Sequence, residues 1–225
     1  MDEMRTRSKR TGKIQKSYTI LKIRSKECYP WLLKIHYAKR IPNIVYAFGL
    51  FKEKRHVGVI TFGYPPAPTE QKLWRPFNLM ELNRLVVKED LNKNALSYFV
   101  SQSLNMLPRP SVIISYADID YNHSGYIYQA TNWIYTGIGS KGTKRFIMKD
   151  GKERHSRHLH LIKEELIKEI KISIGKHRYF YFLGNKKDKE NMKEMLLKRY
   201  EILSYPKAVN KRYEIINKIS HQSQL

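Results

Sequence analysis

The segment that decides the fold is ELNRLVVKEDLNKNALSYFVSQSLNMLPRPSVIISYAD, residues 81–118. It opens on an alternating apolar pattern that predicts a strand over 79–87. After KEDLNKN, apolar side chains recur at helical spacing over 95–107, with Asn94 as the expected N-cap. The PRP that follows ends this helix, and the apolar run SVIISYA predicts a buried strand over 111–117. The segment is therefore predicted to be a strand, a helix and a strand.

The sequence on both sides continues the alternation of strands and helices. Upstream we predict a strand (17–24), a short helix (27–38), two strands (44–51 and 56–63) joined by the charged turn KEKR, and a proline-rich loop (64–71). Downstream we predict a helix or turn (125–133), a strand (134–139) and a basic hairpin-like stretch (144–158). An amphipathic helix (159–171), an aromatic strand (177–184) and a Lys-rich helix (187–203) are predicted to follow.

This order predicts one α+β domain built on a mixed sheet. Its boundaries are set at 17–185, between a basic N-terminal arm (1–16) and a basic helical C-terminal extension (186–225). The strand order resembles the GNAT acyltransferase fold, in which the sheet splays open between its fourth and fifth strands and the cofactor lies in the gap. Acetyltransferases of that fold bind coenzyme A at a glycine-rich turn after the fourth strand. Residues 87–94 contain no glycine and add two carboxylates, so coenzyme A is a doubtful cofactor here.

The charge indicates a polyanionic partner. The chain carries 43 Lys and Arg against 20 Asp and Glu, a net charge of +23, and its 16 Tyr and 8 Phe indicate a folded body beneath that charge. Nucleic acid fits better than a membrane, because no apolar run of about 18 residues is present and the N-terminus lacks a signal segment. Cys28 is the single cysteine, which excludes an intramolecular disulfide and favours a cytosolic protein. The alternative to a polyanion-binding surface is that the Lys-rich helices only expose their charges to solvent.

The residues most suited to chemistry lie in SYADIDYNHSGYIYQATNWIYTG, 115–137. Asp118 follows the buried strand directly, and burial there would raise the proton affinity of its carboxylate toward the range useful for acid–base catalysis. The alternative is that Asp118 is a turn residue that caps the next helix. His123 is a candidate base or ligand, or an ordinary turn residue. Tyr128 is the tyrosine we expect to point into a cleft, where it would stack on an exposed base or simply fill the core.

Three motifs together resemble the Mom family of DNA modification proteins of Mu-like phages, and the resemblance covers roughly residues 30–140. The motifs are ELNRLVV, SVIISYAD and HSGYIYQATNWIYTG. The resemblance implies an enzyme that transfers a carbamoylmethyl group to N6 of adenine in double-stranded phage DNA, using a small donor, and thereby protects the DNA from host restriction. It also implies a phage- or prophage-encoded protein that works in the bacterial cytoplasm. Extrusion of the target base is one physical route to the amine.

The same resemblance implies functional residues. Carried over onto this chain, they are His36, Tyr37, Asp118 and Tyr128 as catalytic residues, with Arg84 and Ser103 as substrate-binding residues beside His123. Arg84 stands among apolar neighbours, so it would bind an anionic group or form an internal salt bridge with Glu81 or Asp118. His36, Tyr37 and Asp118 could bind a metal such as iron or shuttle a proton.

A basic stretch after residue 140 is the expected nucleic-acid surface. Its predicted contacts are Lys141, Lys144, Arg145, Arg154 and Arg157. The H-x-x-H-x-H cluster of His155, His158 and His160 could ligate a metal, but a phosphate-contacting surface is the preferred interpretation.

Two other functions fit the sequence. One is a GNAT-type N-acyltransferase acting on a protein or on aminoacyl-tRNA, with coenzyme A as donor. The other is a non-enzymatic protein that coats DNA or RNA, for which Asp118, Tyr128 and His36 would be dispensable. The sequence predicts neither the donor nor the oligomeric state.

Overall fold

The computed structural model describes residues 17–151, 153–155 and 163–207. Its strands are β1 (Tyr18–Lys22), β2 (Tyr46–Lys52), β3 (Arg55–Gly63), β4 (Asn78–Val87), β5 (Ser111–Asp118), β6 (Ile134–Gly139), β7 (Lys144–Met148), β8 (Glu153–His155), β9 (Ile167–Ile172) and β10 (Lys176–Leu183). Its α-helices are α1 (Ser25–Pro30), α2 (Pro68–Leu73), α3 (Ala95–Asn105), α4 (Tyr126–Ala130) and α5 (Lys186–Leu197). A π-helical turn (Trp31–Ile35) extends α1, and 3₁₀ turns cover Ile119–Tyr121 and Glu164–Leu166.

The main sheet is mixed and has seven strands in the order β1-β2-β3-β4-β5-β10-β6. Only β4 and β5 are parallel among these neighbours, and their ladder runs from Asn78 opposite Ser111 to Glu81 opposite Ile114. Beyond Glu81, β4 stays paired with β3, while β5 stays paired with β10. The two strands therefore separate over their second halves, as the GNAT resemblance implied, and the α+β fold class is confirmed.

A side-chain bridge marks the point at which β4 and β5 separate. Ser115 Oγ lies 2.8 Å from the Leu82 carbonyl oxygen and 2.7 Å from the Tyr128 hydroxyl oxygen. A carbonyl oxygen only accepts, so the Ser115 hydroxyl donates to Leu82 and the Tyr128 hydroxyl donates to Ser115. The residue after the last ladder pair thus joins the two strands through its hydroxyl group rather than through the backbone.

Helices cover both faces of the main sheet. One apolar cluster includes Phe99 of α3 with Trp133 and Tyr179, and the other joins Phe180 of β10 to Met192 of α5. Met192 and Leu196 are buried, so α5 belongs to the folded domain. The domain boundary predicted at residue 185 therefore moves beyond α5. Within the described residues, none of the helices has the length and apolar character needed to cross a bilayer.

A second sheet has three strands in the order β8-β7-β9, and β9 begins within the range 159–171 for which an amphipathic helix is predicted. Residues 163–171 of that range are described, and in them β9 pairs antiparallel with β7. The sequence IKEIKI fits both a helical and an extended periodicity, and pairing with β7 decides between them. The proline-rich loop predicted over 64–71 is also corrected, because Pro68 begins α2 at a position where the missing N–H costs nothing.

Replacing Ser115 with Ala should destabilise the protein. The change leaves the Leu82 carbonyl and the Tyr128 hydroxyl without their partner in a buried position, which costs about 2 kcal/mol. Urea unfolding measures this loss. The control is Ser97→Ala, because the Ser97 hydroxyl donates to the Asn94 carbonyl in an exposed position. Equal unfolding free energies for the two variants would contradict the role of the bridge.

Candidate active site

The candidate site lies where β4 and β5 separate, and Asp118 forms its buried floor. The Asp118 carboxylate ends β5 and is 2% exposed. Arg145 Nη2 lies 2.9 Å from each of its oxygens, and Lys176 Nζ lies 3.2 Å from Oδ2. The backbone N–H of Asp120 also donates to Oδ1, at 3.2 Å. Two cations and a capping contact therefore hold the carboxylate in place.

Arg145 is the centre of this ion cluster. Besides Asp118, its guanidinium pairs with Asp120 at 2.7 Å and with Glu153 at 3.4 Å. Burial raises the pKa of Asp120, but hydrogen bonds from the Ile174 N–H and the Ser173 hydroxyl, together with the charge of Arg145, lower it overall. Arg145 is buried, so we reassign it from the predicted nucleic-acid surface to the site.

His36 follows the π-helical turn and is a neutral imidazole. It is 9% exposed, and burial, followed by the charge of Arg84, lowers its pKa to about 3. The Ala38 backbone N–H donates to Nδ1 at 3.0 Å. Nδ1 therefore carries no proton, and the single hydrogen of the neutral ring is on Nε2. His36 offers the site a hydrogen-bond donor rather than a base.

Tyr37 and His123 are also neutral at pH 7. Burial, reinforced by Asp118, raises the pKa of Tyr37 to about 12. Burial lowers the pKa of His123, and the negative charge of Asp118 opposes this only in part. The His123 ring packs edge-on against Tyr37 at 5.1 Å between centroids, and no hydrogen bond joins its nitrogens to any residue that the structure describes. His123 is thus the imidazole at this site that can accept a proton.

Arg84 places an incompletely paired guanidinium at the opening. Its Nη1 donates to the Asn83 carbonyl at 2.5 Å, whereas its buried Nε finds no hydrogen-bond partner among the described residues. Burial lowers the pKa of Arg84, and the neighbouring Arg40 lowers it further. Asp118 pairs with Arg145 and Lys176, so it is not the internal salt-bridge partner considered for Arg84. An anionic or carbonyl oxygen would satisfy the free donor.

The two remaining predicted residues, Tyr128 and Ser103, are buried beneath the candidate site. Tyr128 is 8% exposed, and burial raises its pKa. Its hydroxyl group closes the bridge between β4 and β5. Ser103 of α3 is fully buried, and its hydroxyl has no partner among the described residues.

The residues at the site do not fit a bound iron. Both Asp118 oxygens are occupied by cations, and His36 Nδ1 already accepts a hydrogen bond. Over the described ranges, no group of three or more His, Cys, Asp or Glu side chains is placed to hold an ion. A metal bound through His36, Tyr37 and Asp118 is therefore not supported by this donor set.

The turn between β4 and α3 is engaged within the protein. The Asn92 N–H donates to the Tyr18 hydroxyl at 3.1 Å, and the Ala95 N–H donates to the Asn92 carbonyl at 3.0 Å. Glu89 and Asp90 in this turn are exposed carboxylates. The N–H groups of Asn92 and Ala95 are therefore not free to bind the pyrophosphate of coenzyme A.

The predicted nucleic-acid residues are divided by the structure. Lys141, Lys144 and Arg154 are exposed on or beside the second sheet. Arg157, His158, His160 and the His155 side chain lie outside the part of the molecule that can be described. Sequence reasoning missed the roles of Arg145 and Lys176, although an arginine followed by FIM in a short strand is a signal that its side chain needs a buried partner.

Comparison with known sequences identifies related proteins. The sequence profile of the Mom protein family matches residues 17–207. The methylcarbamoylase Mom of Escherichia phage Mu is 29% identical over 191 residues, and the match covers 76% of each chain.

Solved structures with a similar arrangement include acetyltransferases. Arabidopsis thaliana Naa50, in complex with a bisubstrate analogue, has a TM-score of 0.47 and 10% identity, and the match covers 74% of this chain and 99% of that one. The yncA protein of Salmonella typhimurium, a putative acetyltransferase with acetyl-CoA, has a TM-score of 0.43 and 12% identity, over 75% of this chain and 95% of that one.

Replacing Arg145 with Gln should lower the free energy of unfolding by about 3 kcal/mol, because it leaves a buried carboxylate without its principal partner. Chemical denaturation measures the loss. The matched control is Arg154→Gln on β8, an exposed arginine, for which we expect a change within about 0.5 kcal/mol. Similar losses in both variants would show that Arg145 does not hold Asp118.

His36 should make stability depend on pH. Its pKa is about 3 in the folded protein against 6.5 in the unfolded chain, so below pH 6.5 the unfolded chain binds a proton that the folded protein does not. The associated stability is complete above pH 6.5 and falls as the pH drops toward 3. Between pH 6.5 and about 5, the wild type should lose about 2 kcal/mol more than His36→Asn, whose amide oxygen can still accept the Ala38 N–H. Parallel pH profiles in denaturation experiments would refute this assignment.

Proposed function

The chain belongs to the Mom protein family, and we propose that it is a DNA modification enzyme that transfers a carbamoylmethyl group to N6 of adenine in phage DNA. The observation that carries this proposal is the family membership, together with a site at the sheet opening that combines an incompletely paired Arg84 with neutral His36, Tyr37 and His123. The modified DNA would resist restriction in the bacterial host, where the enzyme acts in the cytoplasm.

DNA would approach along the second sheet. Lys144 and Arg154 are exposed on adjacent strands of this sheet, and Lys141 precedes it. Arg145, next to Lys144 in β7, reaches from the same sheet into the ion cluster of Asp118. Side chains alternate between the two faces along a strand, so Lys144 and Arg154 lie on the face opposite Arg145. Phosphate contacts to Lys141, Lys144 and Arg154 would hold a duplex against this sheet, and the net charge of +23 favours that contact.

The site residues suggest how the transfer proceeds. Arg84 and the Nε2–H of His36 would bind the carbonyl oxygen of the donor and so position the adjacent methylene carbon. As N6 forms a bond to this methylene carbon, the bond from the carbon to the leaving group would break, the leaving group would depart with the electron pair, and the N6 proton would pass to His123. Asp118 would orient this arrangement through Arg145 and Lys176.

Mass spectrometry of nucleosides from plasmid DNA tests the proposal. DNA from bacteria that express the chain should contain deoxyadenosine heavier by one carbamoylmethyl group. Arg84→Gln should reduce the modified fraction about 100-fold, the effect of removing one such donor. Arg109→Gln should not, since Arg109 is exposed and contacts Asn105 near the end of α3.

Unmodified DNA from cells that contain abundant folded protein would overturn this proposal. Retention of coenzyme A by the purified protein would then favour the N-acyltransferase. Full modification by Arg84→Gln would instead leave the reaction in place but remove Arg84 from it.

A further inference from the structure

An aromatic column rises from the site to the surface. The Tyr37 ring stacks on His36, with centroids 4.3 Å apart and planes at 28°, and its centroid lies 4.4 Å from that of Tyr121. No ring contact joins His36 to Tyr121 in the described residues, so Tyr37 links the two. His36 is 9% exposed, whereas Tyr37 and Tyr121 are each 39% exposed.

The column is assembled from separate segments and is held in place. His36 and Tyr37 follow the π-helical turn, whereas Tyr121 ends the 3₁₀ turn after β5. The Tyr121 hydroxyl contacts Glu153 Oε2 at 3.3 Å, and the Arg145 guanidinium lies 5.9 Å from the centre of its ring. Tyr121 is thus fixed against the face of the second sheet that carries Arg145 and Glu153.

We infer that the exposed part of Tyr121 is a stacking platform for a nucleobase of the bound DNA. This inference rests on the proposed function and identifies a residue that contacts its substrate. Bases stack on aromatic side chains whatever their identity, and a base held in this way is no longer stacked in the duplex.

His123 lies beside the inner part of the column. Its ring centroid is 6.5 Å from that of Tyr121 and 5.1 Å from that of Tyr37, so it is level with Tyr37 rather than with the outer side of Tyr121. Its ring nitrogens have no hydrogen-bond partner among the residues described here, so they remain available to a bound group.

A fluorescent base tests the platform without requiring the transfer reaction. The probe is a single-stranded oligothymidylate with one central 2-aminopurine, whose fluorescence falls when it stacks on an aromatic ring. The wild-type protein should quench it at least about twofold. Tyr121→Leu should abolish the quenching and weaken binding, measured by anisotropy, about tenfold.

The conservative variant separates stacking from a structural role. Tyr121→Phe keeps the ring and loses only the contact with Glu153, so it should quench like the wild type. Tyr121→Trp enlarges the ring and should quench at least as strongly, which keeps the test decisive even if Tyr121→Leu does not fold. Quenching by folded Tyr121→Leu, or its loss in folded Tyr121→Phe and Tyr121→Trp, would overturn the inference.

The two proposals fail in different ways. Quenching that depends on the Tyr121 ring, with no modified deoxyadenosine in plasmid DNA, would retain the platform as a nucleobase site and reject the proposed reaction. Modified deoxyadenosine whose level is the same in folded Tyr121→Leu would retain the reaction and reject the platform.

Discussion

The parallel ladder between β4 and β5 is the constraint on which the rest of the molecule depends. It stops after Glu81 and Ile114, and each strand then continues with its other neighbour only. Because the two strands diverge, the backbone edges of their second halves do not pair with each other, and a gap opens between the strands. Arg84 and Asp118 owe their positions to this divergence, and Ser115 fixes where it begins.

The fold was largely predictable because its strands carry clear patterns. Those of the main sheet alternate or run apolar between strong turn signals, so strands at 79–87 and 111–117 could be placed from the sequence. The wrong predictions concern one segment whose periodicity fits both a helix and a strand, and one helix that is buried by tertiary packing. IKEIKI fits a helix as well as a strand, and the burial of Met192 and Leu196 depends on packing that local sequence does not reveal.

Less of the candidate site could be predicted, for a physical reason. The motif around residues 115–137 and the family resemblance indicated Asp118, Tyr128 and His123, and the structure brings Asp118 and His123 together near the opening. Their roles depend on partners far away in sequence. Arg145 and Lys176 come from β7 and the start of β10, and no local pattern could show that they neutralise Asp118.

The order in which the strands are synthesised determines when the site can assemble. In the main sheet β6 pairs with β10 alone, and β10 also completes the pairing of β5. A nascent chain that ends before residue 176 leaves β6 without its neighbour and Asp118 without Lys176. Contacts between segments so distant in sequence form late and slowly. The growing protein therefore remains without a finished site until almost all of its described residues have left the ribosome.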